Sequence, residues 1–161
     1  MTQNLETLIG DKLRERGLRL GLAESCTGGL VGHRLTNVAG SSTYYMGSVT
    51  AYAYEAKVRL LGVSWTTLEQ HGAVSAETVS EMALGCRRAL AADIGIAISG
   101  IAGPGGGTPD KPVGTVWMAL SAADGIWTRK FNFDGDRLAV KEQAAEAALA
   151  LGIEYLEKLA Q

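Results

Sequence analysis

The chain of 161 residues reads as an α/β protein, a three-layer α/β/α sandwich around a mixed, mostly parallel sheet of about five strands. Three observations carry that reading. Apolar runs of strand length alternate with segments whose apolar residues recur at helical spacing, the order that builds a sheet covered on both faces. One run, Ile94-Gly95-Ile96-Ala97-Ile98, is apolar throughout, as a strand buried between two helical layers requires. Asp124-Gly125 joins two further strand-like runs, a strong signal for a hairpin and therefore for an antiparallel pair.

Each element has a local reason. Leu5, Leu8, Ile9 and Leu13 share one face of a first helix, which Gly17 stops. Leu18–Ala23 is a short buried strand, and Thr27–Val38 a helix opening on Gly28 and Gly29. Gly40-Ser41-Ser42 turns into a second strand, Gly47–Tyr54, rich in Val, Thr and Tyr. Two short helices follow, Glu55–Leu61 and Ser64–Gln70, ended by Gly62 and Gly72. Ser75 caps a longer helix with Glu77 in its first turn and Val79, Met82, Ala83, Cys86 and Leu90 on one face. Strands Val113–Leu120 and Ile126–Phe133 form the hairpin. Asp136 caps a last helix whose buried stripe is expected to be Leu138, Ala145, Leu149, Ile153 and Leu156. No repeat, low-complexity tract or linker interrupts the pattern, so residues 1–161 are expected to form one domain.

Composition narrows the function. Apolar residues make up 47% and charged residues 20%, the balance of an ordinary globular core and surface. Net charge is −2 with Lys and Arg scattered, which argues against nucleic-acid binding. No apolar run approaches the roughly 18 residues of a membrane span. The amino terminus lacks the basic-then-apolar pattern of a signal peptide. Cys26 and Cys86 form no C-x-x-C, and two unpaired thiols suit a reducing cytoplasm. The only histidines, His33 and His71, have no close carboxylate spacing, so no metal and no cofactor is expected. The sequence leaves open whether two copies pair as a homodimer.

Three segments carry chemistry, and each follows a predicted strand: Ala23–Gly29, Tyr52–Lys57 and Ser99–Thr108. Ligands of open α/β sheets bind at the carboxyl ends of strands, so parallel strands would gather all three on one edge. The third segment contains Ser99, Gly100, Gly103, Gly105, Gly106, Gly107 and Thr108, and the three prolines lie in or just after it. Glycine permits positive φ and close approach of bare N–H groups, and proline gives the loop a shape. Such a loop suits an anionic group; the plainer alternative is a connector.

Ser25 stands where a helix begins, beside the unpaired amides of Thr27, Gly28 and Gly29. It is either an N-cap or a nucleophile facing an oxyanion site. A nucleophilic serine needs a base. His33 falls on the body of a helix and His71 in a Gln-His-Gly turn. Lys57 follows a strand end flanked by Tyr52 and Tyr54, and burial there would lower its pKa; the alternative is a surface lysine on a short helix. Bringing a lysine from ~10.4 to ~7 costs about 4.6 kcal/mol, which only a buried pocket would sustain. Arg137 reaches a ligand phosphate or pairs with Asp134 on the surface. No Gly-x-Ser-x-Gly elbow is present, so a generic serine esterase is not supported.

At these segments the chain resembles the CinA carboxy-terminal domain family. The matching stretches are Ala23–Gly29, Gln70-His-Gly-Ala-Val-Ser75, Ser99–Thr108, Lys111-Pro-Val-Gly-Thr-Val-Trp117 and Gly135-Asp-Arg137, and the likeness runs from about Leu5 to the end. Stand-alone members act as nicotinamide mononucleotide amidohydrolases. The resemblance therefore implies a small mononucleotide substrate and hydrolysis of its carboxamide without a metal. It implies Ser25 as nucleophile, Lys57 as base and Tyr52 beside them, with the Gly103–Thr108 loop and Arg137 on nucleotide groups. An alternative is a non-catalytic nucleotide-binding module acting through partners in competence or the DNA-damage response. One departure stands out: the family reads Tyr-Ser-Asn where this chain has Tyr52-Ala53-Tyr54. An asparagine that touched substrate would be missing here, changing specificity or rate.

Overall fold

The structure is a computed structural model that describes residues 2–160. Its sheet has the order β2-β1-β3-β4-β5, built from β1 (Leu20–Glu24), β2 (Tyr45–Thr50), β3 (Ile94–Gly100), β4 (Thr115–Ala122) and β5 (Gly125–Asn132). β1 runs parallel to both β2 and β3, and β4 is antiparallel to β3 and β5. Four strands thus point one way and β4 alone is reversed. The registers Glu24↔Thr50 and Glu24↔Ile98 align the carboxyl ends of the parallel trio.

Helices α1 (Leu5–Arg16), α2 (Leu30–Thr36) and α6 (Arg137–Leu159) contribute to the core on one face, and α3 (Tyr54–Leu61), α4 (Trp65–His71) and α5 (Ala76–Ala89) to that on the other. The pleat sends Leu22, Ile96, Ile98 and Met118 into the first layer with Ile9, Leu13, Leu149 and Leu156. It sends Ala23, Ala97 and Ala119 into the second, against Val79 and Met82. Small residues on that side let α5 lie close to the sheet.

Local chemistry fixes the helix ends. Gly17 and Gly62 close α1 and α3 in the left-handed region, at φ 64° and 71°. Ser75 and Asp136 cap α5 and α6 by accepting from the amides of Thr78 and Ala139.

Four expectations need adjustment. α2 begins at Leu30 rather than Thr27, because Gly28 and Gly29 take φ of 61° and 102° and hold Ser25–Gly29 as a turn. β2 ends at Thr50, and Tyr52-Ala53 becomes the entry to α3. The hairpin pairs Ala122 with Gly125, so its two loop residues are Ala123-Asp124. Leu138 is 70% exposed and lies off the buried stripe of α6, which Ala145, Leu149, Ile153 and Leu156 do form. Among the described residues no helix is long and apolar enough to cross a membrane, and Cys26 and Cys86 are both free.

Candidate active site

The parallel trio delivers Ser25, Lys57 and the glycine-rich loop to one edge of the sheet. Ser25 is the first residue after β1, and its amide donates to the Ile98 carbonyl of β3 at 3.0 Å. Lys57 lies on α3 and is 1% exposed. Its ammonium donates to Ser25 Oγ at 3.0 Å and to the carbonyls of Ala51 and Tyr52 at 2.9 Å each. Lys57 forms no ion pair among the described residues, and burial pulls its pKa down from the usual lysine range to about 8. A serine hydroxyl is therefore held against a lysine whose burial favours the neutral form. The cap reading fails for Ser25, since no α2 amide bonds its hydroxyl; the α2 entry is capped otherwise.

That other cap is Glu24, which lies within the Ala23–Gly29 segment but was given no role from the sequence. Its carboxylate is completely buried. It accepts from Thr27 Oγ1 at 2.7 Å, from the Val31 amide at 3.0 Å and from the Gly32 amide at 3.0 Å. The Gly28 amide is also engaged, donating to the Ser25 carbonyl at 3.1 Å, so it is not a free donor. Among the described residues the amides of Cys26, Thr27 and Gly29 meet no acceptor. These three donors follow Ser25 directly in the turn.

The glycine-rich loop lies alongside. Ser99 is buried in β3 opposite Trp117, and Gly100 opposite Val116. Gly103 and Gly107 serve the loop's own packing: a Cβ on Gly107 would stand 2.9 Å from the Val113 amide, and Gly103 adopts φ 84° against Val113. Gly105, Gly106 and Thr108 are exposed. The Thr108 amide and hydroxyl are tied to Lys111, at 2.8 and 3.0 Å.

Arg137 does not pair with Asp134. Its guanidinium donates to the Gly103 carbonyl at 2.7 Å and to Tyr52 Oη at 3.2 Å, joining the loop to the α3 entry. Tyr52 is 63% exposed, so its ring is no water barrier around Lys57. Tyr54 is also exposed; its hydroxyl accepts from the Ala73 amide at 3.3 Å. Ala53 occupies the N-cap of α3 with no side-chain bond, where the family's serine would supply one. Neither histidine bonds Ser25: His33 is exposed on α2, and the His71 carbonyl accepts from Lys111.

A second residue missed in the sequence is Lys141, one helical turn after Arg137. Its ammonium lies 3.8 Å from where a Cβ on Gly28 would stand, and it has no hydrogen bond or ion pair among the described residues. Its signal was the four-residue spacing from Arg137 on one helix face.

A three-layer α/β protein with a serine–lysine pair at the carboxyl ends of parallel strands is the class this geometry defines. The chain belongs to the CinA C-terminal domain family, whose model matches residues 2–156. A nicotinamide-nucleotide amidohydrolase PncC from Enterobacter agglomerans is 49% identical over 146 residues, covering 90% of this chain and 89% of that protein. A CinA-like protein from Salinibacter ruber is 52% identical over 145 residues, 90% of this chain but 35% of its own length. This chain thus spans about a third of several of the longer relatives it matches. A solved CinA superfamily protein from Klebsiella pneumoniae superposes with a TM-score of 0.91 at 42% identity, covering 97% of this chain and 99% of that one.

Proposed function

We propose that this chain is a single amidohydrolase domain that converts nicotinamide mononucleotide to nicotinate mononucleotide and ammonia. The observation that carries the reading is the contact of buried, unpaired Lys57 with Ser25 Oγ at 3.0 Å. Burying an ammonium without an anion is costly, and a module that only held nucleotide would not need it. The named activity of the Enterobacter relative, which this chain matches over nearly its whole length, supports the substrate.

In this mechanism neutral Lys57 takes the Ser25 proton as Oγ attacks the carboxamide carbon. The free amides of Cys26, Thr27 and Gly29 hold the oxyanion of the tetrahedral intermediate. Lys57 returns the proton to the departing nitrogen, ammonia leaves, and water activated by Lys57 hydrolyses the acyl-enzyme. The direct Lys57–Ser25 contact favours this route over a relay through Tyr52, whose carbonyl positions the ammonium and whose hydroxyl meets Arg137. The exposed part of the glycine loop and Arg137 are left to hold the ribose phosphate. The two free thiols fit a reducing compartment such as the cytoplasm.

The test is ammonia release from nicotinamide mononucleotide by the purified protein, with Ser25→Ala, Lys57→Ala and the double variant. Each single change should lower kcat by at least about a thousandfold, and the double should be little worse, as for groups that act as a unit. Near-normal turnover by Ser25→Ala would overturn the mechanism.

A further inference from the structure

Glu24 is a buried ionisable group beside the nucleophile that the hydrolysis does not use directly. A carboxylate with no accessible surface and no cation bonded to it is a costly thing to keep in a core. Three hydrogen bonds meet its charge, and all three come from the segment that follows the nucleophile: the Thr27 hydroxyl and the first helical amides of α2 at Val31 and Gly32. A Cβ on Gly32 would overlap the Tyr45 and Ser48 hydroxyls while standing in ordinary contact with Glu24 Oε2, at 3.4 Å, so the glycine lets the start of α2 lie against β2.

The backbone of the same residue reaches the other half of the site. The Glu24 carbonyl accepts from the Ala51 amide at 3.0 Å, and the Ala51 carbonyl in turn accepts from Lys57 Nζ at 2.9 Å. One residue therefore holds the turn after Ser25 through its side chain and the lysine cradle through its main chain. It also removes the α2 amides from competition. With Val31 and Gly32 bonded to Glu24 and Gly28 bonded to Ser25, the amides left without an acceptor among the described residues are those of Cys26, Thr27 and Gly29.

We propose that Glu24 is a positioning residue for the hydrolysis: its carboxylate fixes the Cys26–Gly29 turn so that those amides meet charge as it develops on the substrate. This rests on the amidohydrolase reading for the reaction, but the positioning itself is a property of the free protein.

Two variants test it. Glu24→Gln keeps the shape but sets an amide NH2 against amide donors. Thr27→Val is isosteric, removes one bond of the three and leaves Glu24 on α2, so it is the variant that retains the fold. Both should lower kcat about a hundredfold, the effect of misplacing oxyanion donors, while KM stays within about threefold. The pH limb set by Lys57 should not move. Leu149→Ala, on the buried stripe of α6, is the control that lowers Tm and leaves kcat alone. Amide exchange at Gly28 and Leu30, which close the turn, should quicken at least about tenfold in Thr27→Val while α5 stays unchanged. Variants that lose Tm but keep kcat, as the control does, overturn the proposal, and so does unchanged exchange at Gly28 and Leu30. A wild type inactive on nicotinamide mononucleotide overturns the functional reading instead, and the exchange measurement still decides the positioning.

Discussion

At neutral pH a buried lysine without a carboxylate weakens the fold that holds it, because its charged form has been taken out of water. Lys57 is that lysine, lowered by burial to about 8. Below about pH 8 it is protonated in the folded and the unfolded chain alike, and the burial penalty is fully present. Between about 8 and the ordinary 10.4 the folded chain sheds the proton first, the unfolded chain binds more protons, and stability rises with pH. The span corresponds to roughly 3 kcal/mol. Burial pushes the Cys26 and Cys86 thiols up, to about 11 and about 12, which acts in the opposite direction at alkaline pH. The wild type must therefore be compared with Lys57→Met. That variant should melt higher at pH 7, and its advantage should shrink toward pH 10. Activity follows the same proton: kcat/KM should climb about tenfold per unit below pH 8 and level off above it. A flat profile between about pH 6 and 9 would remove Lys57 as the base. Ser25 and Lys57 were legible in the sequence because each has an unusual setting, a serine at a glycine-rich helix start and a lysine behind a strand end. Glu24 was not legible. Its partners at Val31 and Gly32 are reached only once the turn at Gly28 and Gly29 brings α2 back over β1, and the pattern gave that stretch to helix.

At the scale of elements, the site depends on how closely α3 packs on α5. Gly85, inside α5, touches the carbonyl end of α3: a Cβ there would overlap the Leu61 carbonyl oxygen and stand 2.7 Å from its carbon. In a free helix Gly→Ala is stabilising by about 1 kcal/mol, yet here the methyl meets backbone that cannot rotate away. Gly85→Ala should destabilise by about 1–3 kcal/mol, lowering Tm by about 2–4 °C for each. Because α3 carries Lys57, kcat should fall as well, unlike in Leu149→Ala. A raised Tm would show that the two helices separate without consequence. The elements themselves were mostly readable: glycine stops, Ser and Asp caps and the apolar run of β3 are local signals. What failed was local ambiguity. Alternating Tyr52-Ala53-Tyr54 imitates a strand although Ala53 is already the N-cap residue of α3, and Leu138 fits a helical stripe by spacing but is exposed in the first turn of α6.

Over the whole molecule, charge is distributed against the net balance. The chain carries −2 overall, yet Lys57, Arg137 and Lys141 lie on the edge where the parallel strands end, and none of the three has a carboxylate partner among the described residues. The sequence gathered the glycine loop with the Ser25 and Lys57 segments on one edge and left Arg137 between a ligand phosphate and a surface pair with Asp134. It could not show that Gly103 and Gly107 are required by the loop's own fold against Val113, or that Arg137 bridges the loop to Tyr52. Fewer groups are thus left for a ligand phosphate than the glycine count suggested: the exposed stretch Gly105–Gly106, the unused donors of Arg137, and Lys141. A phosphate held by so few groups depends on their charge, and charge-assisted bonds contribute about 1.5–3 kcal/mol each. Nicotinamide riboside, which lacks the phosphate, should therefore be hydrolysed with kcat/KM about ten- to a hundredfold below the mononucleotide. Arg137→Ala should lower kcat/KM for the mononucleotide and leave the riboside nearly unaffected, so that the two substrates converge. Equal efficiency on both by the wild type would take the phosphate away from this edge. Equal losses on both in Arg137→Ala would mean that the arginine only braces the loop against Tyr52.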